Sequence, residues 1–447
     1  MTARQPHIGA DSAGDVYTPQ HGNGGYEVES YYLDLKYRVP SNNLRGLAVI
    51  AIRTVQPLEK LSLDLTGLSV TRVLAGGRPV KRFTARRGKL TVTFASRLEA
   101  GQSVALEISY GGNPRPTRSA WGLLGWEELE DGVLVASQPT GASTWFPCND
   151  HPSSKAPYRF QVTTDSPYTV VANGKLISHR VAGSMATWVY QQDEPMASYL
   201  ATLYIAQAPR IPLEAGSSGV RQSAVVPRNL RSAFDHDFAR QHEMVALFER
   251  LFGPYPFSDY KVLVTNDELE IPLESQGMST FGRNHVDGRN GADRLIAHEL
   301  AHQWFGNSVG LASWQHIWLN EGFACYCEWL WAEHSGTGST DRLARYYHRK
   351  LSALGQDLVL ADPGPREMFD DRVYKRGALA LHALRLLAGD PAFFDLTREW
   401  CQRHALGTVT TAMFVDLVRS RLGDRITEAV QPWLFERALP ALPDQRR

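Results

Sequence analysis

The spacing of hydrophobic residues along the chain changes near its middle. In the first half apolar and polar residues alternate, as where Leu33, Leu35 and Tyr37 are separated by charged residues. A period of two is typical of half-buried strands. The same pattern recurs in seven later runs, at 47–52, 61–65, 90–94, 104–110, 158–164, 169–172 and 199–206. Short strands with glycine-rich turns between them predict an antiparallel β-rich domain at residues 20–215.

The second half carries its apolar residues at the spacing of helices. A polar segment at 215–219 separates the two halves, and short apolar runs at 261–264 and 278–281 predict a small sheet. The helical pattern covers four segments, at 234–252, 295–305, 317–334 and 377–387. We therefore predict an α+β multidomain fold whose second domain, at 216–447, is mostly helical. Residues 1–19 are predicted to form a flexible N-terminal arm.

Composition and charge exclude several classes of protein. The 447 residues include 47 Lys plus Arg and 47 Asp plus Glu, so the formal net charge is zero. This balance gives no electrostatic reason to expect binding to nucleic acid or to an anionic membrane. The sequence has no run of about 18 apolar residues and no apolar segment typical of a signal peptide. Four cysteines are too few for a disulfide framework. We expect a cytoplasmic protein that is a monomer.

The sequence His298-Glu299-Leu300-Ala301-His302 is the strongest candidate for chemistry. Two histidines at positions i and i+4 lie about 40° apart around a helix, so both imidazoles can reach one metal ion. Glu299 then lies beside the ion, where it can accept a proton from the attacking water. The alternative is a pair of surface histidines on an amphipathic helix.

A third ligand is needed, because catalytic zinc takes three protein ligands and leaves one position open. Glu321 follows His302 after eighteen intervening residues, and Gly306, Gly310 and Ser313 in that interval allow the chain to turn back. Imidazole ligands favour zinc over calcium or magnesium. We predict one catalytic Zn²⁺ bound by His298, His302 and Glu321, with a solvated helix charge as the alternative for Glu321.

Several separated motifs carry a resemblance to a known family. The zinc motif with Asn-Glu-Gly-Phe-Ala at 320–324 is joined by Ser-Gln at 137–138, Phe-Pro-Cys-Asn-Asp-His-Pro at 146–152, and Val-Tyr-Lys-Arg-Gly-Ala at 373–378. Together they resemble the zinc aminopeptidases of the aminopeptidase N and leukotriene hydrolase type. In the last motif Arg376 stands where the family usually has lysine. The resemblance implies a saddle-like β domain followed by a thermolysin-like catalytic domain.

The resemblance also implies a reaction and residue roles. The expected function is hydrolysis of the N-terminal peptide bond of peptides that carry a free amine. Glu299 is expected to act as general base and Tyr374 to stabilise the oxyanion. Glu274 and Gln138 are expected to bind the α-ammonium group of the substrate.

The assignment of Glu274 depends on an alignment that leaves alternatives open. Residues 271–277 align with the family's Gly-Ala-Met-Glu-Asn-Trp-Gly but share only the glutamate and the last glycine. Glu268 and Glu270 remain competing candidates, and Pro272 lacks a backbone N–H. Glu328, seven residues after Glu321, is either a hydrogen-bond partner of a zinc histidine or an acid at the edge of the core.

Other functions compatible with the motif remain as alternatives. A thermolysin-type endopeptidase would use the same zinc site, and one branch of the family hydrolyses epoxides. An inactive scaffold would have no need for Glu299. The chain ends shortly after the catalytic motifs, so we expect the family's helical C-terminal domain to be missing.

Overall fold

A computed structural model describes residues 7–444 of the chain. The chain divides into two compact units, Met1–Pro209 and Arg210–Arg447. The boundary therefore lies a few residues before the predicted one at 215–216. The predicted order of a β-rich first domain and a mostly helical second domain is confirmed.

The N-terminal unit is built from sixteen strands within the described residues. They are β1 (Tyr26–Arg38), β2 (Asn43–Thr54), β3 (Leu58–Asp64), β4 (Ser69–Ala75), β5 (Arg78–Pro79), β6 (Arg82–Arg86), β7 (Lys89–Leu98), β8 (Ser103–Gly112), β9 (Thr117–Ser119), β10 (Gly122–Leu129), β11 (Gly132–Ala136), β12 (Lys155–Asp165), β13 (Thr169–Ala172), β14 (Lys175–Ala182), β15 (Met185–Ala197) and β16 (Leu203–Ala206). The largest sheet has the order β14-β15-β12-β1-β2-β8-β4-β5. The order β13-β16-β11-β10-β9 forms a second sheet, and β3-β7-β6 a third.

The alternation of apolar and polar residues along the strands determines which face of the large sheet is buried. β1 pairs antiparallel with β2 and parallel with β12, and Leu33 lies opposite Ala48 on one side and Phe160 on the other. All three side chains are buried, as are Leu35 and Tyr37. One face of the sheet therefore contributes to the core, as the period of two predicts.

The described part of the predicted arm is packed against the β-rich unit. Asp15 and Tyr17 are buried, and the N–H of Gly9 donates to the carbonyl of Lys60 at 2.9 Å. A flexible arm is therefore the wrong description for residues 7–19, whereas residues 1–6 lie outside the described residues. The prediction rested on the polar composition of the segment. It was wrong because hydrogen bonds, which leave no periodic pattern of apolar residues, hold the segment in place.

The C-terminal unit combines a five-stranded sheet and a two-stranded sheet with nine α-helices among the residues described. Its strands are β17 (Arg210–Leu213), β18 (Arg221–Val225), β19 (Asp259–Val264), β20 (Leu273–Ser275), β21 (Met278–Phe281), β22 (Gly310–Leu311) and β23 (Thr408–Val409). Its helices are α1 (Arg231–Asp237), α2 (Gln241–Phe252), α3 (Asp293–Ala301), α4 (Trp318–Ser335), α5 (Thr340–Ser352), α6 (Asp371–Ala388), α7 (Asp390–Arg403), α8 (Thr411–Leu422) and α9 (Asp424–Phe435). The sheet has the order β17-β18-β19-β21-β20, and β22 pairs with β23 separately. No helix between residues 7 and 444 has the length and hydrophobicity needed to cross a membrane.

Three of the four predicted helices differ from those observed, and the one predicted at 377–387 begins earlier, at Asp371. The segment 234–252 forms two helices, because α1 ends at Asp237. The carboxylate of Asp237 accepts hydrogen bonds from the N–H groups of Gly288 and Asn290. The apolar spacing runs through the break because Phe238 stays buried there. The helix predicted at 295–305 ends earlier, at Ala301.

Candidate active site

Two neighbouring helices bring the predicted metal ligands together. His298 and Glu299 lie in the last turn of α3, and His302 follows directly with a helical backbone. The shortened helix therefore still keeps the i, i+4 relation between the histidines. Glu321 lies in the first turn of α4, which packs against α3.

The ligand atoms converge on one point inside the unit. Nitrogen atoms of His298 and His302 and an oxygen of Glu321 all lie within 4.8 Å of one another. The Nε2 atoms of the two histidines are 3.4 and 3.5 Å from Oε2 of Glu321. All three side chains are buried. Buried imidazoles grouped with a carboxylate in this way suit a divalent transition metal, above all zinc.

Hydrogen bonds on the far side of each imidazole fix its orientation. Nδ1 of His302 lies 3.0 Å from the carbonyl oxygen of Phe305, which can only accept. Nδ1 of His298 lies 2.8 Å from Oε1 of Glu328. Both rings therefore direct the lone pair of Nε2 toward the centre of the site, as a metal ligand requires. Of the two alternatives for Glu328, the structure favours the hydrogen-bond partner of a histidine, here His298.

The electrostatics of the site favour a cation at its centre. Burial opposes protonation of His298, but hydrogen bonds to Glu321 and Glu328 outweigh it and raise its pKa to about 9. For His302 burial is likewise outweighed by Glu274 and Glu321, and its pKa rises to about 10. The carboxylates therefore stabilise positive charge at this position, which a divalent ion would supply.

Glu299 lies beside the group of predicted metal ligands and has one unpaired oxygen among the described residues. Its side chain is buried, and Oε2 has no hydrogen-bond partner among residues 7–444. Burial, assisted by Glu274, raises the pKa of this carboxyl to about 8 although both histidines oppose the rise. A buried carboxylate with an open acceptor position is suited to exchange a proton with a bound water or substrate.

The structure distinguishes among the three acids that the alignment left open. Glu274 lies on β20, and one of its oxygens is within 4.8 Å of ligand atoms of Glu299 and His302. Glu268 and Glu270 are exposed, and Glu268 pairs with Arg283 at 3.3 Å. Only Glu274 is therefore placed beside the metal-ligand cluster.

Tyr374 completes the group of side chains on the C-terminal unit. It lies in the first turn of α6, and its ring is nearly parallel to the imidazole of His298, with centroids 6.0 Å apart. Burial, followed by the charges of Glu321, Glu274 and Glu299, raises the pKa of its phenol well above the ordinary value. The phenol therefore stays protonated and can donate a hydrogen bond.

Gln138 belongs to the N-terminal unit, where it follows β11 and is partly buried. Its predicted contact with a substrate amine stays a prediction. Gln303 and Asn307 are two fully buried polar side chains next to the zinc motif that were not predicted to belong to the site. The available signal was that both residues closely follow the His298–His302 motif and lie on either side of the apolar residues Trp304 and Phe305.

Comparison with known proteins identifies the family of both units. Residues 27–200 match the Peptidase M1 N-terminal domain, and residues 237–433 match the Peptidase family M1 domain. A solved structure of an M1 zinc metallopeptidase variant from Deinococcus radiodurans, bound to the substrate Tyr-Ser-Ala, has a TM-score of 0.89. Its sequence is 30% identical, and the similarity covers 97% of this chain and 100% of that chain.

Longer relatives are similar over most of this chain. Probable aminopeptidase 1 of Sulfurisphaera tokodaii is 25% identical over 86% of this chain and 50% of its own length. Human endoplasmic reticulum aminopeptidase 1 is 27% identical over 80% of this chain and 42% of its own length. The chain thus spans about half the length of these curated relatives. With both domain models and a full-length structural match in agreement, the chain belongs to peptidase family M1.

Proposed function

We propose that this protein is a zinc-dependent aminopeptidase that hydrolyses the N-terminal peptide bond of peptides. The observation that carries the proposal is the position of Glu274, whose carboxylate lies within 4.8 Å of ligand atoms of Glu299 and His302. A fixed negative charge so close to the metal-ligand cluster leaves space for a single residue before the scissile bond. The carboxylate of Glu274 therefore favours substrates whose chain begins one residue before the scissile bond with a free ammonium group.

The residues present fit a zinc ion. His298, His302 and Glu321 would hold it, because their donor atoms converge and both imidazoles present Nε2 lone pairs. Three protein ligands leave a position open for chemistry. When bound, zinc supplies Lewis acidity that polarises the scissile carbonyl and makes water a nucleophile near neutral pH.

Glu299 is the proposed general base. Its open Oε2 can accept a proton from the attacking water, and the resulting carboxylic acid can deliver that proton to the leaving nitrogen. Burial of Glu299 supports this role, because a carboxylate removed from bulk water has a higher affinity for the proton.

Tyr374 and Glu274 are proposed to bind opposite charges of the reacting substrate. The protonated phenol of Tyr374 donates a hydrogen bond to the carbonyl oxygen as that oxygen gains negative charge. Glu274 accepts hydrogen bonds from the α-ammonium, and Gln138 is proposed to contribute a further acceptor. The bound tripeptide in the Deinococcus radiodurans relative is consistent with a short peptide as substrate.

An endopeptidase of the thermolysin type is the alternative that uses the same metal ligands. It has no use for an anionic side chain beside the nucleophile, and the position of Glu274 therefore argues against it. The monomeric state and the cytoplasmic location expected from the sequence stay predictions.

One assay separates the two activities. Aminoacyl chromogenic substrates with free and with acetylated amines are compared, each with and without a zinc chelator. We expect chelator-sensitive cleavage of the free-amine substrates only. Equal cleavage of the acetylated substrates would contradict the aminopeptidase assignment, and chelator-resistant cleavage would contradict the metal site.

A further inference from the structure

The side chain of Gln303 connects the metal-binding helix to the strand that carries Glu274. Gln303 is fully buried and directly follows His302. Its Oε1 accepts a hydrogen bond from the N–H of Gly277 at 2.8 Å, and its Nε2 donates to the carbonyl of Ser275 at 3.2 Å. The same nitrogen lies 3.5 Å from the carbonyl of Met278. One amide group therefore binds both sides of the turn between β20 and β21.

Asn307 reinforces the same connection. Its side chain is fully buried, and Nδ2 donates to the carbonyl of Ser275 at 3.0 Å. That carbonyl thus receives hydrogen bonds from Gln303 and Asn307, both from the segment that follows the metal-binding helix. Because Ser275 is the residue after Glu274, these bonds act one peptide unit away from the proposed amine anchor.

The strand that carries Glu274 has little other support from the sheet. β20 has three residues, lies at the edge of its sheet and pairs only with β21 within the described residues. The turn that joins the two strands places Gly277 in the left-handed region, at φ +76°. A strand this short has few ladder hydrogen bonds, and the bonds from Gln303 and Asn307 add to them.

We infer that Gln303, assisted by Asn307, is a positioning residue for amine recognition, because it holds the backbone around Glu274 at a fixed distance from the metal ligands. The inference rests on the proposed role of Glu274 as amine anchor. Binding of an ammonium group by a carboxylate depends on the distance and direction between them. Loss of the amide contacts should therefore weaken recognition of the substrate amine while the metal ligands stay in place.

The test compares two inhibitors that differ only in the amine. L-Leucine hydroxamate and 4-methylpentanohydroxamic acid share the metal-binding group and the side chain, but only the first carries an α-amino group. The ratio of their inhibition constants measures the gain from the amine. Zinc content and the inhibition constant of the desamino compound report on the metal site separately.

Gln303→Met removes the amide contacts at nearly constant volume. We expect it to reduce the amine-dependent gain by about tenfold or more, with stoichiometric zinc and an almost unchanged constant for the desamino compound. Gln303→Glu keeps the acceptor for Gly277 N–H and should lie between Gln303→Met and the wild type, which provides a second variant if the first fails to fold. Gln241→Met is the matched control, because it removes a buried glutamine contact, to Gln222 at 2.6 Å, elsewhere in the same unit.

Glu274→Ala separates failure of this inference from failure of the proposed function. If Glu274→Ala removes the amine-dependent gain and both Gln303 variants keep it, the positioning role is wrong although the anchor is right. If Glu274→Ala also keeps the gain, the anchor itself is wrong and the inference about Gln303 falls with it. Loss of gain in Gln241→Met as large as in Gln303→Met would mean that the effect is general destabilisation, and would likewise overturn the positioning role.

Discussion

Gly322 and Gly377 lie face to face where α4 and α6 cross. A methyl carbon added to Gly377 would be 2.6 Å from the Cα of Gly322, and one added to Gly322 would be 2.8 Å from the Cα of Gly377. The two backbones are therefore closer than any side chain at either position permits. Gly322 directly follows Glu321, the proposed metal ligand, and Gly377 lies one turn after Tyr374. The contact thus sets the distance between the proposed metal ligand and the proposed oxyanion donor.

Substitution of Gly377 by alanine should separate these helices. We expect Gly377→Ala to lower the free energy of unfolding by about 1–3 kcal/mol through overpacking, and to reduce kcat as Tyr374 moves away from the metal ligands. Thermal unfolding and steady-state kinetics measure the two effects. Gly338→Ala is the matched control, since a methyl carbon there would meet its nearest neighbour at 3.7 Å, an ordinary contact. Full activity in Gly377→Ala would contradict the proposed role of the contact.

Replacement of the proposed base should separate metal binding from chemistry. Glu299→Gln keeps the size of the side chain but cannot accept the proton, so activity should fall by about 10²–10⁴-fold while zinc stays bound. Glu321→Gln is the contrasting variant and should lose zinc, because it removes a ligand. Metal analysis of both purified proteins decides the matter. Loss of zinc from Glu299→Gln would show that Glu299 is a ligand instead.

Removal of one hydroxyl should reveal the oxyanion contact. Tyr374→Phe keeps the ring beside His298 and loses only the proposed donor to the carbonyl oxygen. We expect kcat to fall by about 10²–10³-fold with little change in KM, because the contact strengthens only as negative charge develops. A rise in KM at constant kcat would instead assign Tyr374 to ground-state binding.

The sequence predicted that His298 and His302 lie side by side, because their spacing is that of one helical turn. His298 and His302 are one helical turn apart, and that relation survives although α3 ends at Ala301 rather than at the predicted residue 305. The helix end was mispredicted because the residues after it remain apolar and buried, as Trp304 and Phe305 show. The spacing of hydrophobic residues indicates which residues are buried, not where helical hydrogen bonding ends. Residues beyond Ala301 remain buried although the helix has ended.

Features that depend on contacts distant in sequence were not predictable in this way. The sequence left Glu274, Glu268 and Glu270 as alternatives, and they are distinguished by the proximity of Glu274 to His302, a contact between residues far apart in sequence. The packing of residues 7–19 was missed for the same reason, since Gly9 binds Lys60 and contacts between residues so far apart in sequence leave no periodic pattern. From the sequence alone, polar residues that are held by such distant contacts are predicted to lie in loops.

Acid should destabilise the C-terminal unit through His382. This imidazole is buried on α6, and burial, assisted by Arg385, lowers its pKa to about 4. Its Nδ1 lies 3.2 Å from the hydroxyl of Tyr326, whereas Nε2 is 3.7 Å from Asp341, too far for a hydrogen bond. Between pH 6.5 and 4 this histidine is therefore protonated in the unfolded chain but neutral in the folded protein. The free energy of unfolding falls as the pH falls through this window.

The variant His382→Gln should lose this part of the pH dependence. Between pH 7 and pH 4.5 we expect the wild type to lose about 2–3 kcal/mol more of its free energy of unfolding than the variant does. Chemical denaturation at both pH values measures the difference. His334→Gln, at an exposed position, controls for the replacement of a histidine as such. Equal acid sensitivity of His382→Gln and the wild type would mean that other groups cause the effect.

Arg376, which occupies the usual lysine position of its motif, should be required for stability. Its buried guanidinium donates to the carbonyls of Trp433 at 2.9 Å, Arg437 at 2.8 Å and Leu358 at 3.1 Å, and also contacts Glu436. Except for that of Leu358, which lies between α5 and α6, these carbonyls lie at and beyond the end of α9. Arg376 therefore attaches the segment after α9 to the helix that carries Tyr374. A lysine ammonium is compact and cannot reach carbonyls on several sides at once.

Arg376→Lys should therefore destabilise the protein although it restores the residue usual in the family. We expect a loss of about 1–3 kcal/mol in the free energy of unfolding, because buried carbonyls lose their donor while the buried charge keeps fewer partners. Zinc content should stay stoichiometric, since no metal ligand touches the guanidinium in the described structure. Chemical denaturation of the zinc-loaded protein measures the loss, and Arg349→Lys on the exposed side of α5 provides the control for the exchange itself. An unchanged midpoint in Arg376→Lys would mean that charge alone, rather than the planar arrangement of donors, holds the segment after α9.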